Sequence, residues 1–243
     1  AIRDPLWSRG LGDVYKRQQK NIGAVKPLYL DQHPERKLFL GPFYMDRHEV
    51  TNAEYFKFLK ATQFTDLPSH WVDGVFPEEQ ASHPVTQVTW WEGWSYCMWA
   101  GKQLPTEAQW EKSARGPNGL PYPWGEEFIK GKSNLGIDGD RKTASVTAYP
   151  EDVSSYGVYG LSGNVMEWTA DWYASYDQAK LQNPKGPEAA PNPAYPQKVA
   201  RGGAWQSLFG RATEAGLHSS RRYGLGAWTQ AFNLGFRCAA DSM

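Results

Sequence analysis

Apolar positions along this chain fall into short runs, separated by long polar stretches rich in Gly and Pro. Three of the runs carry helical spacing behind a start signal. Thr51 followed three residues later by Glu54 is a capping box, and Tyr55, Phe58, Leu59 and Thr62 then recur at three-to-four spacing as a core-facing stripe. Thr89 with Glu92 opens a second helix over 90–100, stopped by Gly101, with Trp91, Trp94, Cys97 and Met98 as its expected buried stripe. Thr106 with Gln109 opens a third, which runs to about Arg115 and ends at Gly116. Strand-like runs are shorter. They cover 28–30, 37–40, 43–45, 84–88, the approach from Val199 into the turn Gly202-Gly203, and 233–239. Loops fill the rest. The stretch 66–83 is anchored by Trp71 and Phe76, 117–150 is turn-rich, and 174–197 reads as a surface excursion. Residues 1–24 have no period and are read as a lead outside the domain, a scar of gene assembly or cloning, which leaves 25–243 as a single domain.

The stretch 157–173, GVYGLSGNVMEWTADWY, is the densest in chemistry. Gly157, Gly160 and Gly163 are turn points where a side chain would clash. Asn164, Glu167 and Asp171 stand three and four apart, so a helical turn after Gly163 would align them on one face, with Trp168 and Trp172 on a neighbouring one. That arrangement can hold an ion or cap a local structure.

Composition narrows the function classes. The 243 residues carry 26 basic and 26 acidic side chains, so the electrostatic footprint of a nucleic-acid binder is missing and attraction to an anionic membrane surface is not expected. No apolar run is long enough to span a bilayer. With 24 Gly, 17 Pro and 12 Trp, the chain reads as turn-rich and pinned by large rings. The two cysteines, Cys97 and Cys238, are read first as buried free thiols, with a disulfide between them left open by their spacing. The five histidines show no metal-binding spacing.

Seven blocks then occur in a recognisable order: HEVTNAEY (48–55), PVTQVTWWEGWSYCMWAG (84–101), LPTEAQWEKSARG (104–116), YPWG (122–125), GLSGNVMEWTADWY (160–173), RGGAW (201–205) and NLGFRCA (233–239). In this order they resemble the formylglycine-generating enzyme, or sulfatase-modifying factor, family. The resemblance implies an α+β fold of the C-type-lectin-like kind, with short helices around small twisted sheets. The family's enzymes oxidise a substrate cysteine with a copper-binding cysteine pair just after the Gly-Gly turn. Here that turn is followed by Ala204 and Trp205, with Ser207 and Ala212 at the places of the pair. Thiolates are what suit Cu(I), so copper and formylglycine-generating activity are not expected.

The resemblance also implies calcium. One set of oxygen donors is Asn134, the Leu135 carbonyl, Asp138 and the Asp140 region, and the other is Asn164, the Val165 carbonyl and Glu167. The closing segment, with Trp205, Ser207, Arg211, Arg221, Arg222, Tyr223 and Trp228, matches the family's substrate groove. Those side chains, with Arg201 and Arg237, read either as a ligand surface or as an aromatic core with guanidinium groups stacked on it. The reading favoured at this level is a non-catalytic bacterial binding or accessory protein that recognises a peptide, glycan or partner subunit. The alternatives are an enzyme with divergent chemistry in the same groove and a structural subunit. The address stays open, with the periplasm or the extracellular space favoured and the native N-terminus read as missing.

Overall fold

In a computed structural model of the chain, residues 36–136, 141–177, 179, 181–206 and 214–242 are described. The expected strand 28–30 and the lead 1–24 lie outside them, as do Asp138, Asp140, Ser207, Arg211 and Ala212.

All three capped helices form where their start signals stand: α1 over Asn52–Thr62, α2 over Trp90–Trp99 and α3 over Glu107–Arg115. Each capping box is complete in both directions. In each, the threonine side chain accepts from the third helical amide, and the side chain of that third residue accepts from the cap amide. The strands are β1 (Phe43–Met45), β2 (Met166–Trp172), β3 (Gln197–Arg201), β4 (Arg222–Gly226), β5 (Leu234–Phe236) and β6 (Ala239–Asp241). β1 and β6 pair antiparallel as a two-stranded ribbon, while the main sheet has the order β4-β3-β2-β5, with only β2 and β5 parallel. This is an α+β architecture with small sheets, as the resemblance implies.

β2 is the central strand, and helices cover both its faces. Glu167 and Asp171 point to α3: the Trp110 indole donates to Glu167, and the Glu107 amide donates to Asp171. Trp168 and Trp172 point to the α2 side: Trp168 donates to the Val88 carbonyl just before that helix, and Trp172 stacks on Trp90. The main core lies on this second side, where Tyr55, Phe58, Trp71, Tyr96, Trp168 and Phe236 are buried together. A smaller core of Trp110, Ala114, Val158 and Leu161 lies against α3.

Five sequence expectations are corrected. The segment after Gly163 is a strand and not a helical turn, because β3 and β5 flank it on both edges. The α2 stripe holds only at Cys97: Trp90, Gly93, Tyr96 and Cys97 are buried, whereas Trp91, Trp94 and Met98 are exposed. α2 is apolar nearly all round, so period alone does not say which face meets the sheet. Thr62 is exposed and its hydroxyl bonds back to the Phe58 carbonyl. The stretch 84–88 makes a single bridge, Thr51 to Pro84, and bends at Gln87, whose φ of +57° is left-handed. The thiol reading is also overturned, since Cys97 and Cys238 form a disulfide that ties α2 to the segment between β5 and β6.

Candidate functional site

Buried charge is concentrated on the α3 side of the sheet, in two neighbouring clusters. The first centres on Glu167 in β2. Its carboxylate is fully buried and accepts from the Arg237 guanidinium twice, at 2.6 and 2.7 Å, and from the Trp110 indole at 2.8 Å. Arg237 also donates to the carbonyls of Asp46, Arg47 and Tyr159, so loop backbone from two regions closes around one guanidinium. Glu49 stands 3.7 Å from the same guanidinium. Burial, with Glu167 nearby, raises Glu49 to about 7, and burial beside Glu49 raises Asp152 to about 8.

Asn164 sits at the mouth of β2 with φ +62°, a left-handed conformation that Asn tolerates better than most side chains. Its Oδ1 accepts from the Ala144 amide and the Asn134 side chain, and its Nδ2 donates to Glu49 and to the Ala144 carbonyl. The three glycines of the central stretch serve different ends. Gly157 turns freely, while Gly163 lies against Asn134. Gly160 has φ +68°, and a Cβ there would stand 2.7 Å from a Glu49 oxygen.

The second cluster is built on α3. Arg222 in β4 makes a two-pronged pair with Glu107, both contacts at 2.8 Å. Arg201 in β3 pairs with Glu111, which also takes Arg115. Tyr176 donates to Glu107. Asp171, also buried, is raised to about 7 by its burial and by the Glu107 charge.

These placements separate the expected groove residues. Arg222 is internal and ion-paired, as are Arg201 and Arg237, so these three guanidiniums belong to the core. Arg221 lies over the Tyr223 ring at 4.5 Å, Trp228 is 71% exposed beside Trp91, and Trp205 packs on Phe232. Ser207, Arg211 and Ala212 lie outside the described residues. Glu49, Glu107, Glu111, Asp152 and Tyr176 are the site residues that sequence reasoning missed. Only Glu49, Glu107 and Glu111 left a signal, as carboxylates inside the blocks 48–55 and 104–116.

Of the calcium donors, Asn164 and Glu167 have their side-chain oxygens taken by protein hydrogens, and Arg237 sets a full positive charge against Glu167. A Ca²⁺ ion needs six to eight oxygen ligands with free lone pairs, and the 164–167 set does not fit one. In the other set, Asn134 and Leu135 are buried, and Asp138 and Asp140 lie outside the described residues. Among the described residues no group of three or more His, Cys, Asp or Glu gathers as a metal site.

Residues 11–242 match the family described as the sulfatase-modifying factor enzyme 1-like domain. A formylglycine-generating enzyme of Bos taurus is 34% identical over 274 residues, covering 86% of this chain and 68% of that protein. An inactive C-alpha-formylglycine-generating enzyme 2 of the same organism is also 34% identical, over 90% of this chain and 79% of that protein. The serine/threonine-protein kinase Pkn1 of Chlamydia trachomatis is 36% identical over 87% of this chain, which spans only 35% of the kinase. Among solved structures, the Treponema denticola variable protein 1 superposes with a TM-score of 0.75 at 19% identity, covering 100% of this chain and 94% of that one. PvdO from Pseudomonas aeruginosa gives 0.72 at 22%, covering 98% and 92%. At those identities the two structures bear on the fold alone.

Proposed function

We propose that this chain, which belongs to the sulfatase-modifying factor family, is a member without formylglycine-generating activity that acts as a binding or accessory protein. One observation carries the reading. The chain has two cysteines, and they are joined to each other in a buried disulfide far from the Gly202-Gly203 turn in sequence. Neither thiol is free to hold Cu(I) or to exchange with a substrate cysteine. The similar Bos taurus protein described as inactive is a precedent for a family member of this kind.

Of the three partner classes, a partner subunit is the one the surface favours. Trp91, Trp94, Met98, Trp99 and Trp228 all expose large apolar side chains on or beside α2. Aromatic rings concentrated on one face mark interaction surfaces more often than scattered apolar residues do. The disulfide supports the periplasmic or extracellular address, where such bonds persist.

The test is an aldehyde assay on a Cys-x-Pro-x-Arg peptide with copper and oxygen. We expect no aldehyde above the peptide-only background. Turnover above that background overturns the reading, and turnover that persists in a Cys97→Ser/Cys238→Ser variant would establish an enzyme with different chemistry.

A further inference from the structure

Between α3, β2 and the excursion after β2 lies a cavity of about 120 Å³, whose charged and polar walls include Glu107, Glu111, Asp171, Tyr176, Arg222 and Arg36. That is room for about four water molecules, too little for a peptide segment or a nucleotide and suited to one side-chain-sized group.

The charges in the wall are unevenly matched. Glu107 is neutralised by Arg222, and Glu111 by Arg115 and Arg201. Asp171 is 4% exposed, and its Oδ2 accepts from the Glu107 amide at 2.7 Å. Among the described residues it has no ion-pair partner. Lys198 donates to the Ala170 carbonyl, with its ammonium between the rings of Trp90 and Trp172, so it and Arg222 act on Asp171 through space and not by a direct pair. Gly186 passes beside the other oxygen, Oδ1, at φ +67°, where a Cβ would stand 2.9 Å from it. A side chain at 186 would screen that oxygen from the cavity.

Tyr176 shows which group the cavity accommodates. Arg222 stacks on its ring at 4.3 Å and Arg36 at 3.8 Å, so the ring is in contact with two guanidiniums. Arg222 is locked by Glu107. Among the described residues, Arg36 adds to the ring contact only one hydrogen bond, at 3.2 Å to the Asp177 carbonyl, and it is half-buried. An aromatic face, a carbonyl acceptor and a buried carboxylate with no direct ion pair together recognise a planar cation with several N–H donors.

We infer that this cavity is a binding site for a small guanidinium-type cation, with Arg36 as an internal occupant that an external ligand displaces. The inference is independent of the reading of the cysteines, since no group in the cavity takes part in that argument.

The test is calorimetric titration of the full chain with methylguanidinium chloride at constant ionic strength and at a pH above the value of about 7 to which burial raises Asp171, so that its carboxylate is charged, with sodium chloride as the blank. Saturable one-site binding is expected, about fivefold tighter in Arg36→Ala, which removes the competitor, and about tenfold weaker in Asp171→Asn. Asp171→Asn keeps an acceptor for the Glu107 amide, and a thermal melt checks its fold. If that variant does not fold, Ala108→Leu fills the cavity from α3 and is expected to abolish binding. Absence of saturable binding to Arg36→Ala overturns the proposal. So does unchanged affinity in a folded Asp171→Asn, or in Ala108→Leu.

Discussion

The guanidinium of Arg237 is fully buried, and it is tolerable there because Glu167 meets it with both oxygens while loop carbonyls take its remaining hydrogens. A buried ion pair adds little net stability, but breaking one leaves an uncompensated charge in a low-dielectric interior. Glu167→Gln keeps the shape and removes the charge, so a loss of about 3–5 kcal/mol is expected in urea denaturation. A loss under about 1 kcal/mol would show that Glu49 can replace it as counter-ion. Asp171 makes a pH-dependent case. Burial raises it to about 7 from an unfolded value near 4, so its folded form prefers the proton. That contribution to stability is complete below pH about 4 and is lost as the pH rises through about 7. Asp171→Asn cannot titrate, and its unfolding free energy should fall by about 2–3 kcal/mol less than wild type between pH 5 and pH 8. Equal slopes for the two proteins would place the Asp171 titration elsewhere.

At the scale of elements, the capping boxes mark where helices start, and the disulfide fixes where one of them ends up. Cys97 in α2 and Cys238 next to β6 are 141 residues apart in sequence, and closing so long a loop restricts the unfolded chain strongly. The Cys97→Ser/Cys238→Ser variant is expected to lose about 2–5 kcal/mol, read as a lowered melting temperature. Wild-type protein, denatured without reductant and treated with iodoacetamide, should gain no mass, and two added carbamidomethyl groups would show the bond to be absent. β2 explains why a spacing of four misled as to element type but not as to partnership. Residues four apart share a face in a helix and also in a strand. Glu167 and Asp171 therefore face α3 together, and Trp168 and Trp172 face α2 together, whichever structure forms. Asn164, three before Glu167, shares a face with it only in a helix, and it lies instead in the turn before the strand.

Over the whole molecule, loops carry much of the chain and buried polar knots hold them. Asn164 joins the loop at Asn134 to the one at Ala144 and to Glu49, and Arg237 ties two further backbone segments to the sheet. A protein organised in this way needs an ion only where protein donors leave oxygens free. With the 164–167 set engaged, we propose calcium only for the loop at 134–140. Metal analysis after purification without chelator should then find no more than one calcium per chain, and EDTA should lower the melting temperature only if that ion is present. A second equivalent of calcium would show that Arg237 yields to a cation at Glu167.

The sequence by itself determined the family, the α+β class, three helix starts and the absence of a cysteine pair after the Gly202-Gly203 turn, because capping, block order and residue identity are local properties of the chain. Only the tertiary structure decided which side of α2 is buried, that Cys97 meets Cys238, and that Arg201, Arg222 and Arg237 turn inward to Glu111, Glu107 and Glu167. An arginine beside aromatic residues reads the same on a ligand surface and in a core. What separates the two is the partner carboxylate, and for these three it comes from 70 to 115 residues earlier in the chain. No local pattern records a pairing at that distance. It arises when β2, β3 and β4 assemble beside α3 and take those charges out of water together.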